Sequence, residues 1–360
     1  MRQIRGLRLR LLFDFAQRKR EMNMLKILTG AVMVIAGMSG VAFANDSMAE
    51  MSAGGLIYTY SDSVEMFSED LYISVDEISV DYVFKNHSDK DITTIVVFPM
   101  PDIIGDPYES VSIPFPNEDN LMGFTVRVDN KPIVPNIEQK AFALGLDVTN
   151  ILLSASVPLL PYSKKTRAKL TEILSMPAGG QDYIEGLIKR GIVENDRYDA
   201  GDGEKDHPTP IWTLKSSYWW EMTFPANSST KVSHKYVPAV GGTAFVSFLS
   251  DEGKPYGSYE YYEKRFCMDE AFINAMKREM AKGFGFYESN VSYILKTAQH
   301  WYGSIETFRL KIDKGSTKNF VSFCGENIKK IAPTVFEMVS KNFVPDENFN
   351  VLIMQRITEN

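Results

Sequence analysis

Two cysteines, four histidines and a scatter of tryptophans are the side chains of this 360-residue sequence whose types and spacing could do chemistry. Cys267 and Cys324 lie 57 positions apart with no C-x-x-C between them, which excludes a thioredoxin-type dithiol. In an oxidising compartment two cysteines of one chain are most simply a disulfide, and two buried free thiols are the other reading. A bridge closing that loop would add roughly 4 kcal/mol in the chain-entropy picture, less any strain. His87, His207, His234 and His300 stand at no i, i+3 or i, i+4 spacing, so the H-E-x-x-H arrangement is excluded and each is expected at the surface or in a turn. The G-x-S-x-G elbow of a serine hydrolase is absent, while a triad scattered along the chain stays open.

Carboxylates cluster in Asp196, Asp199, Asp202, Glu204 and Asp206, and hard cations take several oxygens. With Asp199 placed first, however, Gly201 and Gly203 fall on ligand positions of the EF-hand template, so a solvated loop is expected and no metal. Gly201-Asp202-Gly203 is likewise too short to cradle a phosphate. Glu69/Asp70 and Asp76/Glu77 are neighbours in sequence, and on a strand such neighbours point to opposite faces, which disfavours a glycosidase pair. No catalytic residue and no cofactor emerges.

The aromatics carry the more suggestive pattern: Trp212, Trp219, Trp220, then Tyr256, Tyr259, Tyr261 and Tyr262, then Trp301-Tyr302. Trp219, Trp220 and Trp301 are the candidate binding surface, able to stack on sugars or to bury a partner's apolar groups. The alternative places them in the core. Trp219 and Trp220, adjacent on a strand, should face opposite sides, so at most one of them shares a given core.

The elements that would hold these residues begin after an N-terminal leader. Residues 25–44 form an apolar run opened by Lys26 and closed by Ala42-Phe43-Ala44, the grammar of a secretory signal cleaved after Ala44. An uncleaved anchor is the other reading, weakened by Gly30, Gly37, Gly40 and the A-x-A ending. No Cys follows the run, so lipidation is not supported. Residues 1–21 are unusually long and basic for such a leader, and Met22 or Met24 is a better start. Residues 45–360 are expected to be periplasmic or secreted, with no membrane span after cleavage. The formal charge of the whole chain is −7, and removal of the basic leader makes it more acidic, so nucleic acid is not an expected partner.

Leu71, Ile73 and Val75, then Ile78, Val80, Tyr82 and Phe84 after a phase slip at Asp76-Glu77, alternate with period two and predict strand, the slip marking a bulge or a bend between two strands. The turn 86–90 and the β-branched run 92–98 continue the pattern, and Phe98-Pro99-Met100-Pro101 ends it. Helices are expected around 138–153, 164–174 and 182–189, an exposed loop over 196–210, and strands over 212–224, 230–236 and 244–249. Asp269 can cap a helix that presents Phe272, Ile273, Met276 and Met280 on one face and stops at Gly283. Short strands are expected at 292–296, 307–312, 319–323, 334–339 and 351–354.

The implied fold class is mainly β: a β-sandwich, immunoglobulin-like or vault/inter-α-trypsin-like, from 45–136 plus 210–250. A helical insertion and loop occupies 137–209, and 251–360 forms a C-terminal β-rich unit with one helix, held by Cys267 and Cys324.

Asn45-Asp46-Ser47, Gly54-Gly55-Leu56, 68–74 (SEDLYIS), Phe98-Pro99-Met100-Pro101-Asp102, Phe224-Pro225-Ala226 and Ser322-Phe323-Cys324-Gly325, in that order, resemble the exported bacterial proteins of domain-of-unknown-function family 4424. The resemblance covers nearly all of 45–360 and implies an exported, β-rich protein without bringing any assigned activity. The segments 82–101 and 124–132 are more weakly similar to the sandwich domain of vault and inter-α-trypsin proteins, a matter of fold. The expected role is a non-enzymatic interaction or envelope-associated binding protein whose partner is a protein or glycan of the cell envelope. The alternative is an envelope carbohydrate-binding module or hydrolase using exposed tryptophans and scattered carboxylates.

Overall fold

Strict alternation along Thr213–Phe224 sets the layering: Leu214, Tyr218, Trp220, Met222 and Phe224 are buried, and the residues between them point away. The computed structural model describes residues 47–52, 55–106, 110–199, 201, 203–250 and 252–357; the leader, its cleavage position and the basic segment 1–21 lie outside these. Thr213–Phe224 runs antiparallel between Ile92–Pro99 and Asn136–Ala143 in a seven-stranded sheet, which Ser47–Ser52 and Gly55–Thr59 extend at one edge.

An eight-stranded sheet is built on the hairpin of Val64–Ile73 and Ile78–Asn86. The phase slip seen in sequence is its turn, where Ser74 N–H donates to the Glu77 carbonyl at 2.9 Å; a bulge sits separately between Met66 and Ser68. Ser229–Tyr236 and Thr125–Val128 follow on one side. On the other side Ile305–Asp313 lies parallel to Val64–Ile73 and pairs in turn with Val335–Phe343. Both edges are short and carry lysine, Lys131–Ile133 at one end and Lys329–Lys330 at the other.

A third, five-stranded sheet contains Phe286–Tyr293, Phe349–Arg356 and Phe320–Phe323. Side chains from all three sheets merge in one core, with Leu71, Phe84, Phe98, Trp220, Tyr293 and Ile353 among its members. One buried polar cluster in it is satisfied locally: Tyr293 O–H donates to Glu69 at 3.2 Å and lies 2.8 Å from the Tyr82 hydroxyl. The molecule is therefore mainly β and sandwich-like. Among the described residues no helix is long and apolar enough to cross a membrane.

A second core belongs to the insertion, where helices Thr149–Ser154, Lys164–Leu174 and Gly180–Lys189 pack Leu152, Leu170 and Leu187 around Ala141 and Trp212. The helix expected over 138–153 is instead the strand Asn136–Ala143 with a six-residue helix after it. Leu144 and Gly145 both adopt positive φ (50° and 80°) and turn that strand back onto Leu146–Asp147, and the small Ala141 and Ala143 fit under the helices. The exposed loop expected over 196–210 is a hairpin, Val193–Asp199 with Glu204–Pro210. The strand expected over 244–249 is irregular apart from a bridge between Leu249 and Pro255.

The C-terminal part differs most from expectation. It carries two helices, Tyr259–Phe266 and Glu270–Met280, and its strand Ile305–Asp313 is a member of the sheet begun by Val64–Ile73. The described residues 47–357 form one compact unit, and Ile305–Asp313 ties 251–360 to the sheet of Val64–Ile73. Parallel pairing between strands so far apart in sequence leaves no local signature.

Candidate functional site

Helix Tyr259–Phe266 ends where Cys267 turns into the left-handed region at φ 49°, and there the chain is bonded to Cys324, just past strand Phe320–Phe323. Asp269, two residues on, accepts from Phe272 N–H at 2.7 Å and starts the helix Glu270–Met280. The two helices bury Phe266, Phe272, Ile273 and Met276 against Phe286, Leu352 and Met354, on the face of the five-stranded sheet opposite the main core. Tyr262 is the polar anchor: its hydroxyl donates to the buried Glu288 at 2.7 Å, and the other Glu288 oxygen accepts from Ser247 N–H at 2.6 Å. The helix carrying Tyr261 and Arg265 is thus fixed by a disulfide, a buried carboxylate and an aromatic core.

Beside that bridge opens a cleft of about 760 Å³. Leu295, Met338, Phe343 and Phe349 supply an apolar wall, and Asn350 and Arg265 supply polar groups. The Arg265 guanidinium donates to Ser292 Oγ at 3.5 Å, to Asn350 Oδ1 at 3.3 Å and, more closely, to the Tyr261 hydroxyl; it also sits 5.5 Å from the centre of the Tyr261 ring. Its Nε is buried and has no hydrogen-bond partner among the described residues. Glu326, Asp346 and Glu347 stand exposed at the mouth. A mixed lining of this size is ordinary for a small-molecule site, apolar enough to hold a body and polar enough to orient it.

Trp219, Trp220 and Trp301, the candidate surface, do not lie together on the outside. Trp220 and Trp301 are each 3% exposed: Trp220 lies 5.4 Å from the His234 ring, and Trp301 packs 4.7 Å from Phe84 and 5.6 Å from Phe224. Only Trp219 is half-buried, and it faces the other side of its sheet, as adjacency on a strand requires. Burial of two large rings in the main core outweighs any use as a platform, because each removes a large apolar area from water. Trp212 is wholly buried as well, its indole N–H donating to the Leu159 carbonyl at 2.7 Å. Of the aromatics read from the sequence, Tyr261 is the exposed one that meets the cleft, at 55%.

The titratable residues are otherwise occupied. His234, expected at the surface, is 2% exposed among Phe98, Phe124 and Trp220, an aromatic box with no path to substrate. His87 pairs with Glu65 at 2.6 Å, and His207 stacks on Tyr198 at 3.8 Å. His300 Nδ1 touches the Ser47 hydroxyl, a serine–histidine contact in form, yet Ser47 is fully buried and could not meet a substrate. Burial pushes the His300 pKa below the usual imidazole value. In the acidic segment, Asp199 accepts from Gly201 N–H and Gly203 N–H at 2.7 and 2.9 Å and so closes its hairpin. Among the described residues no three His, Cys, Asp or Glu side chains converge as metal ligands. Glu69 is buried while Asp70 faces outward to Lys311 at 3.3 Å, the divergence foreseen for adjacent carboxylates.

Residues 44–352 match the family described as Domain of unknown function (DUF4424), and the chain belongs to that family. A crystal structure from Legionella pneumophila, of a protein provisionally named as nutrient binding, is similar at 13% identity over 87% of this chain and 70% of that one, with a TM-score of 0.42. A two-domain M1 zinc metallopeptidase, solved as a mutant bound to L-tryptophan, is similar at 10% identity over 82% of this chain and 44% of that one, with a TM-score of 0.21. No curated protein matches the sequence.

Proposed function

We propose that this member of the DUF4424 family is an exported, non-catalytic binding protein of the cell envelope that takes a small molecule into the cleft beside Cys267 and Cys324. The observation that carries the reading is the cleft itself: about 760 Å³, half apolar wall and half polar floor, on a frame that cannot easily loosen. Rigid walls favour binding because little ordering remains to be done when the ligand arrives. Export is supported by the leader over 25–44 with its A-x-A ending and by a cystine, which persists in oxidising compartments. A small molecule is favoured over a glycan because two of the three tryptophans that would have stacked on sugar, Trp220 and Trp301, lie in the core.

Native mass spectrometry of protein purified from its own envelope fraction tests both halves. The expected result is a chain beginning at Asn45 that carries a non-covalent small molecule, and Ser340→Trp, which fills the cleft from Val335–Phe343, should lose that molecule at an unchanged melting temperature. Retention of the leader, or a ligand unaffected by Ser340→Trp, would overturn the corresponding half.

A further inference from the structure

Two cations line the cleft, the exposed Lys264 and the partly buried Arg265, and Arg265 is the one withdrawn from water without a counter-charge. Arg265 is held by Tyr261, Ser292 and Asn350, all neutral, and no carboxylate oxygen lies within 4.0 Å of it among the described residues. Two other partly buried guanidinium groups are paired: Arg356 meets Glu279 at 3.4 Å, and Arg309 meets Glu337 at 3.2 Å. A guanidinium withdrawn from water without a counter-charge is costly to maintain, and the cost falls when an anion docks. The neutral acceptors do a second job, because they fix the plane of the fork, while Nε is shut off from solvent and has no partner. Ser292 Oγ also donates to Asn350 Oδ1 at 2.9 Å, so two adjacent strands stiffen the cradle under the guanidinium.

We infer that the ligand of this cleft is an amphipathic monoanion, its acid group on Arg265 and its apolar body against Leu295, Met338, Phe343 and Phe349. The inference rests on the cleft being the binding site. Glu326, Asp346 and Glu347 outnumber Lys264 among the exposed charges that line the cleft and argue for a single negative charge, since their net field would repel a dianion on entry. Their own charges are solvated and screened, whereas the guanidinium sits deeper; the balance inside the cleft therefore favours a monoanion.

The test is calorimetric titration of the mature chain, residues 45–360, with octanoate and with octan-1-ol, which share a tail and differ in charge. Octanoate should bind at least tenfold more tightly than octan-1-ol. Arg265→Met should abolish that preference, and Arg265→Lys should keep part of it, with thermal unfolding recorded for each variant. Equal binding of acid and alcohol, both lost in Ser340→Trp, would overturn the charge assignment and leave the cleft standing. Absence of binding by either probe would also overturn the inference, and the envelope-purified ligand then decides separately whether the cleft is a site. If Arg265→Met fails to fold, the acid-against-alcohol comparison on the wild-type chain still decides.

Discussion

Arg265 and Trp220 mark what single residues do and do not reveal in a sequence. Trp220 was legible as one member of an opposed pair but not as the buried one, because alternation gives two faces without saying which is inside. Arg265 carried no signal as a lone charge. The pattern that could have pointed to it is Tyr261 four residues earlier on one helical turn, directly before Phe266-Cys267. His300 gives the sharpest residue-scale expectation. Burial lowers its pKa from an ordinary value of 6.5, so below that pH the unfolded chain binds a proton that the folded chain resists. Its contribution to stability is therefore full above about pH 6.5 and is lost as pH falls through the lower folded value. Urea unfolding at pH 7.5 and pH 5 should show a larger loss for the wild-type chain than for His300→Gln, and equal losses would refute the assignment.

Elements were readable where their signals are local. Helix Glu270–Met280 was visible from its Asp269 cap and one apolar face, and Lys164–Leu174 from its periodicity and flanking breaks. Asn136–Ala143 was not, since pairing with Thr213–Phe224 and the Leu144-Gly145 turn decide it. The hairpin Val193–Asp199/Glu204–Pro210 escaped for a related reason: its first strand is exposed beyond Val193, and neither strand carries the apolar alternation that announces a half-buried ribbon. The bond between Cys267 and Cys324 belongs to this scale, because it joins a helix end to a strand end. Replacing both by serine should cost up to roughly 4 kcal/mol, read as a lower urea midpoint at an unchanged m-value. Loosening the end of Tyr259–Phe266 should also weaken octanoate binding through Arg265; a double variant with unaltered midpoint and affinity would show that the other anchors suffice.

At the scale of the molecule, mainly-β character was plain in the sequence, but the joining of the two ends was not. Ile305–Asp313 beside Val64–Ile73 makes 251–360 part of the first sheet. A chain cut after Ser250 should consequently fail to fold: circular dichroism should lack the cooperative transition of 45–360, and limited proteolysis should find no resistant fragment. A stable 45–250 product would mean that the sheet can close without its later strands. A polypeptide appears from its N-terminus, so Val64–Ile73 exists long before the strand that covers its open flank. Until Ile305–Asp313 arrives, that flank presents free backbone donors and acceptors to any passing extended segment. Commitment to the native arrangement must come late in synthesis, and a holdase that keeps the early hairpin from meeting its own copies would raise the yield of this protein more than one acting on its final residues.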